Sequence, residues 1–164
     1  MKKLSVFLML FIGLFLQVTI FSRLKVLGMK PDLILVIVLG IAFFQGSYRG
    51  MAVGFLGGLL EDVFSGANLG TNALSKVLCG FLASIVGKRV YENIGTQAVL
   101  ILVFSLLDRI FNQVILFFSP AAVSISFSFI PQTIVYMFYN LAVGILIFPL
   151  IRKITGKNER INHA

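Results

Sequence analysis

GMAVGFLGGLLEDVFSGANLGTN, residues 50–72, places six glycines and the acidic pair Glu61-Asp62 inside a chain that is otherwise mostly apolar. Glycine weakens helices in water, and carboxylates resist transfer into hydrocarbon. The two belong together only in a particular solvent, and the remainder of the chain says which one.

Of the 164 residues, 59% are hydrophobic and 12% charged, with a mean hydropathy of +1.02. Ordinary globular domains carry about 25% charged residues. The apolar runs also approach the roughly 20 residues that a helix needs to cross ~30 Å of hydrocarbon. These features predict an all-α integral membrane protein. The net charge of +8 would raise nucleic acid in a soluble chain. Here the bases gather at the ends of apolar runs, where they set orientation and meet anionic headgroups. Membrane lipids are therefore expected as partners and nucleic acid is not. Cys79 has no second cysteine to pair with, and the lone histidine, His163, falls in a polar tail.

The spacing predicts six transmembrane helices, over about 4–22, 31–45, 50–64, 71–87, 95–118 and 130–151. They form a single membrane domain, 1–151, followed by a polar, basic tail, 152–164. The N-terminus imitates a signal peptide, but its apolar core is long and no A-x-A site follows it. Six spans put both termini on one side. With the termini inside, Lys2, Lys3, Arg49, Lys88, Arg89, Arg152, Lys153, Lys157 and Arg160 are cytoplasmic; Arg23, Lys25 and Lys30 are opposite. The positive-inside rule then predicts both termini cytoplasmic.

Gly46, Gly50, Gly54 and Gly58 recur every four residues, with Gly57 beside the last. On one helix this spacing makes a strip without side chains, suited to the close backbone approach that joins membrane helices. Packing within the bundle is the plain reading. A docking face for another membrane protein is the sharper one.

Lys76 lies about a turn and a half into the fourth helix, on the side where Glu61 and Asp62 end the third. An ion pair across the 65–70 turn and independent snorkelling to water are both open. Asp108-Arg109 falls near mid-bilayer. Ser105, Asp108 and Asn112 form one polar stripe, Arg109 and Gln113 its neighbour, and Gln132, Tyr136, Asn140 and Gly144 an answering row on the sixth helix. These predict a hydrogen-bonded seam between helices five and six or a wet cavity, with structural glue the plainer use. No histidine or cysteine beside a base, no Ser-x-x-Lys pairing and no metal-ligand spacing occurs. No catalytic residue, cofactor or metal is expected, and the chain reads as a non-enzyme.

PDLILVIVLGIAF (31–43) and RGMAVGFLGGLLEDVFSGANLGTNAL (49–74) resemble the rod shape-determining protein MreD family. The motif residues are Pro31, Asp32, Asp62, Ser65, Gly66, Leu69 and Gly70, joined by Asn140 and the closing Arg152-Lys153 pair. Glu61 and Lys76 stand outside that pattern. The resemblance implies a multi-pass scaffold of the bacterial cytoplasmic (inner) membrane within the elongasome, supporting peptidoglycan synthesis and cell shape. Its implied partners are MreC and, through the complex, the MreB filament, the glycosyltransferase RodA and a penicillin-binding transpeptidase, with self-association left open. The family is also similar in fold to substrate-binding subunits of energy-coupling-factor transporters, which implies the alternative of a small-molecule or lipid-binding transport component.

Overall fold

The computed structural model describes residues 3–21, 23–66, 68–90, 93–118 and 129–155. Among them the chain forms six helices: α1 (Lys3–Thr19), α2 (Leu33–Gln45), α3 (Ser47–Ser65), α4 (Thr71–Gly87), α5 (Ile94–Phe117) and α6 (Phe129–Thr155). The bounds of α4 agree with the sequence reading. Helix α3 starts earlier than expected because the chain breaks at Gly46, whose φ of 93° interrupts the helix before SYRG. Helix α6 runs through Thr155, so Arg152 and Lys153 close that helix instead of opening the tail. Lys157, Arg160, His163 and the 119–128 loop lie outside the described residues.

Helix α2 is the axis. Every residue from Leu33 to Phe43 is buried, and each of the other five helices packs against it. A helix apolar all round belongs inside. One side of α2 (Leu35, Val36, Leu39, Phe43) meets Cys79, Ala83, Ile101, Phe104 and Phe148. The other (Ile34, Ile37, Val38, Ile41) meets Leu10, Leu14, Val53 and Ile151. Thirteen residues rise only about 20 Å, less than the ~30 Å of a hydrocarbon core. Because its neighbours wrap it, α2 need not match the bilayer. Only α5 and α6, among the described residues, combine the length and apolarity of a full span.

The exterior is apolar and the interior holds charge, the reverse of a water-soluble bundle. Leu146 is 77% exposed and Phe138 63%, while Lys76 and Asp62 are each 0% exposed. Such an arrangement is favourable where the surrounding solvent is lipid.

The glycines of α3 face mainly α4. A methyl group on Gly54 would lie 2.5 Å from the Lys76 carbonyl oxygen, and one on Gly58 2.5 Å from the Ala73 Cα. Gly50 and Gly80 approach each other reciprocally, while Gly57 turns instead toward Ile34 and Leu10. The strip thus packs within the bundle. Gly46 is not part of it, since it lies in the break between α2 and α3.

Because backbone atoms occupy the space, even alanine is too large at Gly54 or Gly58. Gly58→Ala is expected to destabilise the protein by about 1–3 kcal/mol, as overpacking does. Leu56→Ala, on the exposed face, should change little. Thermal unfolding in a mild detergent checks this; equal midpoints for the two variants would contradict the close packing.

Candidate functional site: a buried charge cluster built by six helices

Lys76 of α4 extends into the bundle, where its Nζ lies 2.8 Å from Asp32 Oδ2 and 2.7 Å from Glu61 Oε2. An ammonium taken from water costs several kcal/mol unless opposite charges and hydrogen bonds surround it. Asp32, just ahead of α2, and Glu61 of α3 supply the charges. Glu61 Oε2 meets the ammonium as an ion pair without hydrogen-bond geometry.

The second demand is the start of α2, whose first amides have no partner within the helix. Asp32 is its N-cap, and Oδ1 accepts from Leu35 N at 2.8 Å. Gln17 of α1 reaches across: its Oε1 accepts from Leu33 N at 3.0 Å and Ile34 N at 3.4 Å. The same side chain donates through Nε2 to Glu61 Oε1. Asp32's own N–H donates to Asn140 Oδ1 of α6 at 2.7 Å, and Asn140 Nδ2 donates to Ser105 Oγ of α5 at 3.0 Å.

Asp108 of α5 completes the cluster. Its Oδ1 accepts from Ser75 Oγ of α4 at 2.6 Å. Tyr136 Oη of α6 lies 3.0 Å from both Asp108 Oδ2 and Asp32 Oδ2. One hydroxyl proton serves one of these oxygens at a time, so two acids are joined through a single donor. Every helix contributes a side chain or, in α2's case, its capped N-terminus. The geometry is that of a cross-link, with each polar group held by a neighbour from another element.

The expected α5–α6 seam is present as Ser105–Asn140 and Asp108–Tyr136, but it continues into α2 and α4. Three members differ from expectation. Arg109 makes no seam hydrogen bond among the described residues; its guanidinium stands over the rings of Phe129 (5.1 Å) and Tyr136 (5.7 Å), and Nε is buried without a hydrogen-bond partner. Asn112 turns back to the Asp108 carbonyl of its own helix at 2.9 Å. Gln132 is half-buried and makes no hydrogen bond among the described residues. The cause is rotational: Asp108 faces α4 and α6 together, while its sequence neighbour points about 100° away.

Glu61 and Asp62 also depart from the snorkelling alternative, since both are buried. Glu61 makes the pair across the turn. Asp62 does not; its carboxylate accepts from Gly70 N (2.9 Å), Asn72 N (3.0 Å), Asn72 Nδ2 (2.9 Å) and Ala73 N (3.2 Å). Gly70 has no side chain to cap α4, so the preceding helix provides the acceptor. Ser65 bonds back to the Asp62 carbonyl, and Gly66 and Gly70 take positive φ in the turn, which leaves Leu69 exposed. Pro31 is buried immediately before Asp32. The motif residues thus divide between a turn-and-cap device and the cluster. Gln17, Ser75 and the Asp32 partner of Lys76 are not found by sequence reasoning. The signal for Gln17 is a glutamine within an apolar run; Ser75 carries none.

Lys76→Met is expected to cost about 3–5 kcal/mol, because two buried carboxylates lose their cation. Adding Glu61→Gln should recover part of that loss, measured by unfolding in detergent. Asp108→Asn should cost less than Asp32→Asn, since an amide at 108 can donate to Tyr136 Oη while Lys76 keeps its acid. The reverse order, or no recovery in the double variant, would contradict the assigned pairing.

Neither the curated proteins nor the solved structures compared with this chain gave a match. The family model of the rod shape-determining protein MreD matches residues 1–154, which include every member of the cluster, the α4 cap and the glycine strip. The chain belongs to the MreD family of membrane proteins involved in determining rod shape.

Proposed function

We propose that this protein is a non-catalytic, multi-pass scaffold of the bacterial inner membrane that holds the cell-elongation machinery together. The observation that carries the reading is the family match over 1–154. The cluster supports it, because it fastens six helices into one body with apolar outer faces on which other membrane proteins can pack. Its acids are engaged by groups of the chain itself, which suits a rigid support better than a substrate carrier. In this reading the partner is MreC and, through it, MreB, RodA and a penicillin-binding transpeptidase.

The reading includes six spans with both termini cytoplasmic. In it the helices alternate in direction, which the contacts Gly58–Ala73, Ser75–Asp108 and Asp108–Tyr136 support, with Arg49, Lys88, Arg89, Arg152 and Lys153 toward one end and Arg23, Lys25 and Lys30 toward the other. The richer end faces the cytoplasm by the positive-inside rule. A cysteine at Asn68, with Cys79 replaced by alanine, should react with an impermeant thiol reagent in intact spheroplasts. A cysteine at Lys88 should react only after lysis. The opposite pattern would invert the topology.

Depletion from a rod-shaped host should give round, swollen cells, and MreC should co-purify with the chain. Lys76→Met should restore rod shape poorly in depleted cells and recover less MreC, by loosening the body. Rods that persist after depletion, together with tight binding of a vitamin by the purified chain, would replace the scaffold by a transport component.

A further inference from the structure

Helices α4 and α5 follow one another in the chain, and the hydrogen bonds between them, Ser75–Asp108 and Cys79–Phe104, lie away from the 88–93 connection. Between those contacts and the 88–93 connection an apolar groove of about 540 Å³ separates them. Leu82 and Val86 line its α4 side, and Thr96, Val99, Val103 and Leu107 its α5 side. It opens outward, since Val86, Val99 and Val103 are exposed. From Thr96 to Leu107 a helix rises about 17 Å, close to the depth of one leaflet of a ~30 Å hydrocarbon core. At the end nearest that connection, beside lining residue Val90, stand the exposed bases Lys88 and Arg89. Helix α5 begins there with Asn93 as its N-cap, whose side chain accepts from Thr96 N at 2.7 Å, and the positive end of its dipole favours negative charge nearby.

We propose that this groove is a binding site for an anionic phospholipid, with one acyl chain between α4 and α5 and the phosphate at Lys88 and Arg89. The shape is fitted to a single extended chain, and the charge at its mouth selects the headgroup. A neutral lipid would gain the apolar contact alone. Each base near an anionic headgroup contributes on the order of fivefold in affinity. The polar cluster keeps α4 and α5 together at the far end, so the groove retains its form without the lipid.

Native mass spectrometry of the full-length protein, titrated with phosphatidylglycerol or phosphatidylcholine, tests the site. One phosphatidylglycerol is expected to remain bound at collision energies that strip phosphatidylcholine. Lys88→Gln/Arg89→Gln should lower the phosphatidylglycerol affinity on the order of tenfold or more. Val103→Trp should fill the groove and remove the tightly held lipid. Phe55→Trp, on the exposed face of α3, is the matched control and should retain it. All variants are first checked for unchanged unfolding midpoints, with Val99→Phe replacing Val103→Trp if the latter does not fold. Equal retention of both lipids, or the same loss from Phe55→Trp as from the groove variant, would overturn the proposal. So would a groove variant that keeps the lipid but loses a co-purifying membrane protein, which would make the groove a partner's seat.

Discussion

Three buried carboxyl groups and one ammonium meet where α2 begins, and the arrangement of the helices follows from satisfying them. Lys76 is fully enclosed, so its charge must be balanced where it stands. Asp32 and Glu61 do so from two different helices. Asp32 can take that position because α2 is short and starts inside the bundle. Starting inside creates a further requirement, since the first amides of α2 are out of reach of water. Gln17 and the Asp32 carboxylate meet it. The helix start and the ion pair therefore share the same side chains, and neither is satisfied without the other.

The glycine-rich stretch makes this geometry reachable. Backbone contact along Gly50, Gly54 and Gly58 lets α3 and α4 approach closely. Larger residues would hold Glu61 away from Lys76. Asp62 fixes the same two helices at their turn by capping α4 from the end of α3. Adjacent carboxylates thus do separate work: one neutralises a cation inside the bundle, the other receives backbone amides at a helix start. Glycines and acids occur together in residues 50–72 because close approach and charge burial belong to one packing solution.

Much of this was legible in the sequence. Helix positions followed from apolar runs and turn residues, and the polar row on α5 and α6 followed from three- and four-residue spacing. The family motif already placed weight on Asp32, Asp62 and Asn140. Their partners were not legible, for a physical reason. Helical periodicity gives the face on which a residue lies but not the helix that meets it. The α2 run is apolar on every side, so it shows no preferred face and conceals its central place. Lys76 could reach inward or snorkel outward from the same backbone position, and only the joint placement of Asp32 and Glu61 decides between them. Arg109 illustrates the same limit: adjacency to Asp108 suggested a shared seam, while the helix rotation sends it to two aromatic rings.

The central claim is that Lys76 is an internal, ion-paired cross-link and not a snorkelling surface base. Amine acylation of the folded protein in lipid nanodiscs, read by peptide mass spectrometry, tests it most directly. Lys25 and Lys88 are exposed and should be modified by a membrane-permeant N-hydroxysuccinimide ester, while Lys76 stays unmodified until the protein is unfolded. Modification of Lys76 in the folded state at the rate of Lys25 and Lys88 would contradict the account.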